Sequence, residues 1–178
     1  MTTTTTMNRI KSVAITCIVA IAVSATLQPL RADDAKAPLL TVLDEKSESH
    51  SINETAFAKL PRQKVMVNDR DGSAHEYEGA LVGDLLHSVG TTLGDTLRGE
   101  RLSLMVLVEA ADNYRVAFSL AELDPSNNDN VFLLADRRDG QRLDDKEGPY
   151  RLIVPGEKRR GRWVRQINRL TVAAVAAK

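Results

Sequence analysis

Short apolar runs separated by charged or turn-forming segments make up the chain after residue 38. Runs rich in Val, Leu and Ile are typical of β-strands, and the intervening Gly, Pro, Asn and Asp residues are typical of turns. Residues 44–51 are expected to form a charged loop. Strands are predicted at residues 39–43, 64–68, 74–77, 102–108, 115–118, 131–134, 151–154 and 163–172.

Turn sequences connect these strands at defined points. Residues 69–72 and 137–140 both end in Asp-Gly, which is a strong hairpin signal because both residues tolerate positive φ. Asn113 follows Asp112 between two strands, and asparagine is one of the few side chains that accept the left-handed conformation. Pro155-Gly156 forces a further turn between the last two predicted strands.

Two short helices are predicted between strands. Asn53 can cap a helix that runs to Lys59, and Pro61 stops it. A second helix follows from the helical spacing of Leu81, Leu85, Leu86 and Val89, with Gly90 suited to its C-terminal turn. Short strands broken by a few short helices predict a mixed α+β domain.

The first residues resemble a secretory signal peptide. Arg9 and Lys11 precede an apolar run at residues 12–27, and Ala32 provides a small residue for cleavage. A signal anchor is the alternative, but the run is shorter than the roughly 20 apolar residues that span a bilayer. We therefore expect a signal peptide at residues 1–32, a single domain at 33–178, and a periplasmic or otherwise extracytoplasmic protein that is free of the membrane after cleavage.

Charge and cysteine content narrow the classes of function. Three of the 24 basic residues, Arg9, Lys11 and Arg31, precede residue 33, so 21 remain against 24 acids in the predicted mature chain. This acidic balance, with only 4% aromatic residues, excludes nucleic-acid binding. Cys17 is the only cysteine and lies in the predicted signal peptide, so disulfides and thiolate metal sites are not expected.

Several segments occur in an order and spacing that resemble a known family. They are residues 111–120, 131–136, 147–156 (Glu-Gly-Pro-Tyr-Arg-Leu-Ile-Val-Pro-Gly) and 162–167 (Arg-Trp-Val-Arg-Gln-Ile), preceded by Tyr77-Glu78-Gly79. Together they resemble the oxidoreductase molybdopterin-binding domain, the sulfite-oxidase-like family. The resemblance implies a mixed-sheet α+β fold with a few short helices.

The resemblance also implies a metal ligand that this chain lacks. The family's enzymes hold molybdenum through a cysteine thiolate on a strand upstream of the Tyr-x-Gly segment, here residues 64–68. That strand contains Met66, whose neutral thioether is a poor replacement, and we expect Met66 to be a core residue. The prediction is therefore that catalytic and metal-ligating residues are absent. Molybdopterin is a candidate cofactor by resemblance, but we favour the prediction that no cofactor is bound.

A basic cluster near the C-terminus is the candidate binding site. Seven basic residues and one acid, Glu157, lie between positions 151 and 169. Arginine suits phosphate because its planar donors match the oxygens, and Arg151 and Arg162 stand at positions resembling the family's basic cofactor contacts. Glu147 departs from the family pattern, where histidine is common. The predicted cofactor-binding residues are Arg151, Arg160, Arg162, Trp163 and Tyr114.

Simpler interpretations compete with this site. Residues 158–162 fit a solvated turn, Trp163 fits a packing anchor, and His50, His75 and His87 show no metal-ligand spacing. Three hypotheses follow. We favour a non-catalytic module that binds a small anion, a pterin-like ligand or a protein partner. The others are an active molybdopterin-dependent oxidoreductase with a non-cysteine metal site, and a structural protein whose basic edge docks an acidic partner.

Overall fold

The computed structural model describes residues 1–2, 40–69, 72–127 and 129–175. The chain divides into two units, residues 1–32 and 33–178, and the architecture below belongs to the second. Apart from residues 1 and 2, the predicted signal peptide lies outside the described residues. No helix within the described ranges is long and apolar enough to cross a bilayer.

Short strands and a few short helices form the domain, as predicted. The described residues contain three α-helices: α1 (Glu54–Phe57), α2 (Val82–Ser88) and α3 (Leu120–Leu123). They also contain ten strands: β1 (Leu40–Leu43), β2 (Ser49–Ile52), β3 (Gln63–Asn68), β4 (Ala74–Leu81), β5 (Leu104–Ala110), β6 (Arg115–Ser119), β7 (Leu133–Arg138), β8 (Gln141–Arg142), β9 (Arg151–Ile153) and β10 (Ile167–Ala174).

These strands form two sheets within the described part of the chain. The first has the order β2-β1-β10-β5-β6, in which β1 and β10 are parallel and the other neighbours are antiparallel. The second has the order β3-β4-β7-β8, and β9 also pairs with β7. The predicted α+β class with mixed pairing is therefore confirmed.

The turn predictions at Asn113 and at Asp139-Gly140 are confirmed, whereas residues 70 and 71 of the turn predicted at 69–72 lie outside the described residues. Asn113 has φ 67°, so it holds the left-handed position of the turn between β5 and β6. Asp139 and Gly140 have φ 51° and 76° and connect Arg138 to its pairing partner Gln141. Positive φ at both central residues is the pattern of a tight two-residue hairpin turn.

The helix ends also follow the sequence signals. The Asn53 side chain accepts a hydrogen bond from the Ala56 amide at 2.8 Å, which caps α1. The helix ends at Phe57 rather than at the predicted Lys59. After α2, Gly90 has φ 92° and the Thr91 amide donates to the Leu86 carbonyl at 3.0 Å, a left-handed C-terminal closure.

Several predictions about the bounds and types of elements are wrong. The expected loop at residues 44–51 contains the start of β2, which pairs with β1 through its polar edge residues. The strand predicted at residues 131–134 is β7, which begins two residues later, at Leu133, and extends to Arg138. The last strand begins at Ile167 rather than 163, because residues 160–162 form a 3₁₀ turn and Gln166 has φ 52°, which interrupts an extended chain.

Met66 is on the surface, which corrects the prediction of a core residue. Its exposed fraction is 65%. The reason is its position on β3, the edge strand of the second sheet. Successive side chains on a strand point to opposite faces, so the burial of Val67 places Met66 on the solvent side.

Close packing between β4 and β7 requires Gly79. A Cβ at this position would lie 2.0 Å from the Leu134 carbonyl oxygen, well inside van der Waals contact. The register shifts between Glu78 and Gly79 at the same point. In this arrangement Tyr77 on β4 lies opposite Arg138 on β7. On the other side of β7, Arg151 on β9 lies opposite Ala135. The candidate site forms at this junction.

Candidate functional site

A buried arginine is the centre of a charged cluster at this junction. Arg151 is 4% exposed. Its Nη1 atom donates to Glu147 Oε1 at 2.8 Å, to Asp69 Oδ2 at 3.1 Å and to the Tyr77 hydroxyl at 2.5 Å. Two carboxylates therefore surround one guanidinium, which remains charged at any physiological pH.

Tyr77 links the arginine to one of these acids. Its hydroxyl donates to Asp69 Oδ2 at 2.8 Å, and its ring lies 5.1 Å from the Arg151 guanidinium carbon. Burial, followed by the hydrogen bond to Asp69, raises the pKa of Tyr77 to about 12. The hydroxyl therefore stays protonated and acts as a fixed donor between the arginine and the aspartate.

The cluster forms one wall of a concave site, which we call the arginine cavity. Its volume is about 230 Å³. Four arginines and two carboxylates line it together with one aromatic residue, so the formal charge of the lining is +2. The lining residues are Arg138, Arg151, Arg160, Arg165, Asp69, Glu147 and Trp163.

The arginines differ in how far they are neutralised. Arg138 pairs with Glu147 at 3.0 Å. Arg160 donates to the Asn68 carbonyl, and its Nη1 lies 3.8 Å from Asp69 Oδ1. Arg165 is exposed and forms no ion pair with any described residue. The positive charge that a ligand can reach is therefore concentrated on Arg160 and Arg165.

A more open cavity of about 640 Å³ adjoins the first and shares Arg160 and Trp163 with it. We call it the loop cavity. Lys158 and Arg159 also line it, and neither forms an ion pair with a described residue. Met66 also lines it, and this residue is part of β3, the strand where the resemblance predicts the metal ligand.

Trp163 is held as a packing anchor. It is 7% exposed, and its indole N–H donates to the Val154 carbonyl at 3.0 Å. The Arg160 and Arg151 guanidinium carbons lie 5.1 and 5.9 Å from its ring, close enough for cation–π attraction. The ring therefore supports the arginines and offers little free surface for stacking.

Two predicted residues lie away from the arginine cavity. Arg162 pairs with Glu157 and with Glu122 at 3.0 Å, and its guanidinium lies 4.5 Å from the Phe118 ring. Burial acts to lower the pKa of Arg162, but the bonds to Glu122 and Glu157 outweigh it and raise that pKa above its ordinary value. Tyr114 is 49% exposed and donates to the Gly161 carbonyl at 2.7 Å.

The structure thus brings Arg151, Arg160 and Trp163 together and adds residues that are absent from the predicted set. Asp69 follows directly after a predicted strand, at the hairpin turn beside the expected metal-ligand position, which is a usable sequence signal. Arg138 ends β7 next to Asp139-Gly140 in the same way. Nothing in the sequence distinguishes Arg165 from the other exposed arginines.

The histidines lie outside this cluster. His50 Nε2 is 3.1 Å from Asp44 Oδ2, and these two residues and Glu48 have potential ligand atoms within 4.8 Å of one another. Asp44 Oδ1 already accepts from the Lys46 and Glu48 amides, both at 2.9 Å. The grouping is therefore explained by a tight turn that the aspartate stabilises.

Known proteins match both the sequence and the fold. The sequence model of the oxidoreductase molybdopterin-binding domain matches residues 21–178. No curated protein matches the chain. The crystal structure of the sulfane dehydrogenase SoxCD from Paracoccus pantotrophus superimposes with a TM-score of 0.58 at 18% identity, over 78% of this chain and 39% of that one. At this identity the likeness shows the fold, and the chain spans well under half of the matched one. Because the family match covers most of its length, the chain belongs to the oxidoreductase molybdopterin-binding domain family.

Proposed function

We propose that this domain is a non-catalytic module that binds a small anion, such as a phosphate group, between Arg160 and Arg165 at the mouth of the arginine cavity. The excess of positive charge in that cavity is the observation that carries the proposal. We further propose that the mature protein does so outside the cytoplasm, which rests on the signal-like sequence of residues 1–32.

The donor atoms at the site do not fit molybdenum. The chain's only cysteine is Cys17, and the strand expected to supply a thiolate offers the exposed thioether of Met66. Around Arg151 the donors are guanidinium, phenol and carboxylates that are already paired with one another. The described residues of the site therefore offer no soft, anionic sulfur ligand for molybdenum. The guanidinium, phenol and carboxylate groups nearby are hard groups that are bonded to one another.

The same donors fit an anion. Guanidinium groups bind phosphate oxygens through charge-assisted hydrogen bonds. The charge of Arg151 is neutralised by Asp69 and Glu147, so Arg160 and Arg165 would make the contacts. Two such bonds contribute about 1.5–3 kcal/mol each before the cost of ordering the side chains. We expect dissociation constants from about 1 mM down to tens of µM for a free phosphate-bearing ligand.

Calorimetric titration of the purified domain with inorganic phosphate and pyrophosphate, at constant ionic strength, tests the proposal. We expect saturable binding that weakens as salt rises and that is lost when Arg160→Ala and Arg165→Ala are combined. Arg169→Ala is the matched control, because Arg169 is exposed and lines neither cavity. Equal affinity in the double variant and the control would contradict the proposal.

Elemental and pterin analysis of protein purified from its native host tests the non-catalytic part. Near-stoichiometric molybdenum together with molybdopterin would contradict it and support an oxidoreductase with a non-cysteine metal site. N-terminal sequencing of the same sample tests export, with Asp33 expected as the first residue.

A further inference from the structure

A third cavity lies apart from the basic site and has the opposite charge. Its volume is about 400 Å³, within the range of pockets that hold small organic molecules. It is bounded by α1, the hairpin between β7 and β8, and the segment that leads to β9. We call it the acidic cavity. The polar residues that line it are Glu54, Asp136, Asp144, Asp145, Arg142 and Tyr150, with Arg137 at its edge.

Tyr150 is the unusual residue in this wall. It is 2% exposed, and its hydroxyl has no hydrogen-bond partner among the described residues. An unsatisfied buried hydroxyl costs about 1–3 kcal/mol, and buried polar groups are nearly always paired. The ring itself is fixed, because it packs against Phe57 with 4.7 Å between centroids. The hydroxyl is therefore held in place without a hydrogen bond to any residue that the structure describes.

Most of the charges that act on the hydroxyl line the cavity. Burial is the largest cause that raises the pKa of Tyr150 to about 12; the carboxylates of Asp136 and Glu54 add to it, and Arg142 and Arg62 oppose it. Asp136, Glu54 and Arg142 line the acidic cavity together with Tyr150 itself, whereas Arg62 does not. The hydroxyl stays protonated at physiological pH and can both donate and accept.

The charge of the cavity favours a cation. Four carboxylates and two arginines line it, so the formal charge is −2. Glu54 pairs with Arg142, and Asp136 pairs with Arg62 at 2.5 Å. The Asp145 carboxylate has no hydrogen bond or ion pair with the described residues. Asp144 accepts turn amides through Oδ1 alone, at 3.0 and 3.1 Å. Two carboxylates thus have free oxygen atoms.

The arrangement suits an organic cation better than a metal ion. Among the described residues, the one group of three potential metal ligands within 4.8 Å is Asp44, Glu48 and His50, which is not in this cavity. The carboxylates here are too dispersed to close around an ion. Ala58, Leu143 and Pro149 also line the cavity, so an alkyl segment of a ligand would have apolar side chains to contact.

We propose that the acidic cavity binds a small aliphatic amine. The ammonium group would lie against the Asp144 and Asp145 carboxylates, the alkyl segment along Leu143 and Pro149, and a second polar end would hydrogen-bond the Tyr150 hydroxyl. This inference is independent of the proposed anion site, which differs in residues and in sign of charge.

Calorimetric titration with 1,5-diaminopentane at low ionic strength tests the inference, with 1,5-pentanediol and glutarate as neutral and anionic probes of the same length. We expect saturable binding of the diamine alone. Tyr150→Phe and Asp145→Asn should each weaken it about tenfold, the effect of losing one hydrogen bond or charged contact. Tyr114→Phe and Asp95→Asn are the matched controls, because neither residue lines the cavity.

Tyr150→Phe is also expected to fold as well as the wild-type protein. It removes a hydroxyl that has no hydrogen-bond partner in the described part of the chain, so the free energy of unfolding should stay equal to the wild-type value or rise. Circular dichroism checks the fold of every variant. Absence of saturable diamine binding, equal binding of the diol, or unchanged affinity in Tyr150→Phe would each overturn the inference.

Discussion

Replacing Arg151 with methionine should be among the most damaging single changes in the domain. Methionine replaces the apolar stem of the arginine but removes the guanidinium that neutralises Asp69 and Glu147, whose side chains are only 12% and 13% exposed. Removing one partner of a buried ion pair typically costs about 3–5 kcal/mol, because the remaining charge is left buried and unpaired.

The structure places this variant at the lower end of that range. Glu147 keeps its bond to Arg138 at 3.0 Å, and Arg160 lies 3.8 Å from Asp69. In the variant, Arg138 and Arg160 can therefore still neutralise part of the negative charge of Glu147 and Asp69. We therefore expect a loss of about 3 kcal/mol in the free energy of unfolding, which lowers the melting temperature by roughly 6–12 °C for a domain of this size.

Denaturant unfolding at neutral pH and near pH 4 measures this effect and its origin. The deficit of Arg151→Met should shrink at the lower pH, because protonation removes part of the uncompensated negative charge. Adding Asp69→Asn and Glu147→Gln to the variant should recover most of the lost stability. Arg165→Met, which removes an exposed and unpaired cation, should change stability by less than about 0.5 kcal/mol. Near wild-type stability of Arg151→Met would refute the view that this cluster is a buried ion network.

The remaining predictions concern packing, backbone conformation and alkaline pH. Gly79→Ala should destabilise the domain by about 3 kcal/mol or more, because its Cβ would meet the Leu134 carbonyl oxygen; Gly161→Ala, where nothing lies within 4 Å, is the thermal-melting control. Asn113→Val should cost about 1–2 kcal/mol in denaturant unfolding, because φ is 67° there, whereas Asn113→Gly should not; equal losses would contradict this. Burial raises the pKa of both Tyr77 and Tyr150 from 10.0 to about 12, so their contribution to stability is complete below pH 10 and is lost as pH rises toward 12. Ultraviolet phenolate absorbance and circular dichroism, followed together, should show these two tyrosines ionising only as the domain unfolds.

Local features of the fold were predictable because each depends on a few neighbouring residues. The cap at Asn53 follows from the hydrogen-bonding capacity of its side chain, and the turns at Asn113 and Asp139-Gly140 follow from residue types that accept positive φ. The second strand and the start of the last one were not predictable in this way. Polar Ser49 and Ser51 are in a strand because β1 pairs with them, and Gln166 breaks the last apolar run through a backbone angle that its residue type does not favour.

The candidate site depends on contacts between distant residues, so the sequence predicts it in part. Arg151 meets Tyr77 and Asp69, which are 74 and 82 positions away, because β4, β7 and β9 lie side by side. Arg162 forms an ion pair with Glu122, 40 positions away. It therefore lies outside the arginine cavity, which Arg160 lines. Composition shows that the segment is basic, but strand order decides which of its arginines face a ligand.

The position of β10 in the first sheet has a consequence for how the protein is made. β10 lies between two antiparallel pairs, β1 with β2 and β5 with β6, and joins them. Isolated two-stranded pairs are marginally stable in water, so neither pair is part of a stable sheet before residues 167–174 have been synthesised. The pairing of Thr41 with Arg169 joins distant parts of the chain, and contacts of high sequence separation form slowly. The first sheet is completed only by its last strand, so truncation before residue 167 should abolish cooperative folding of the whole domain.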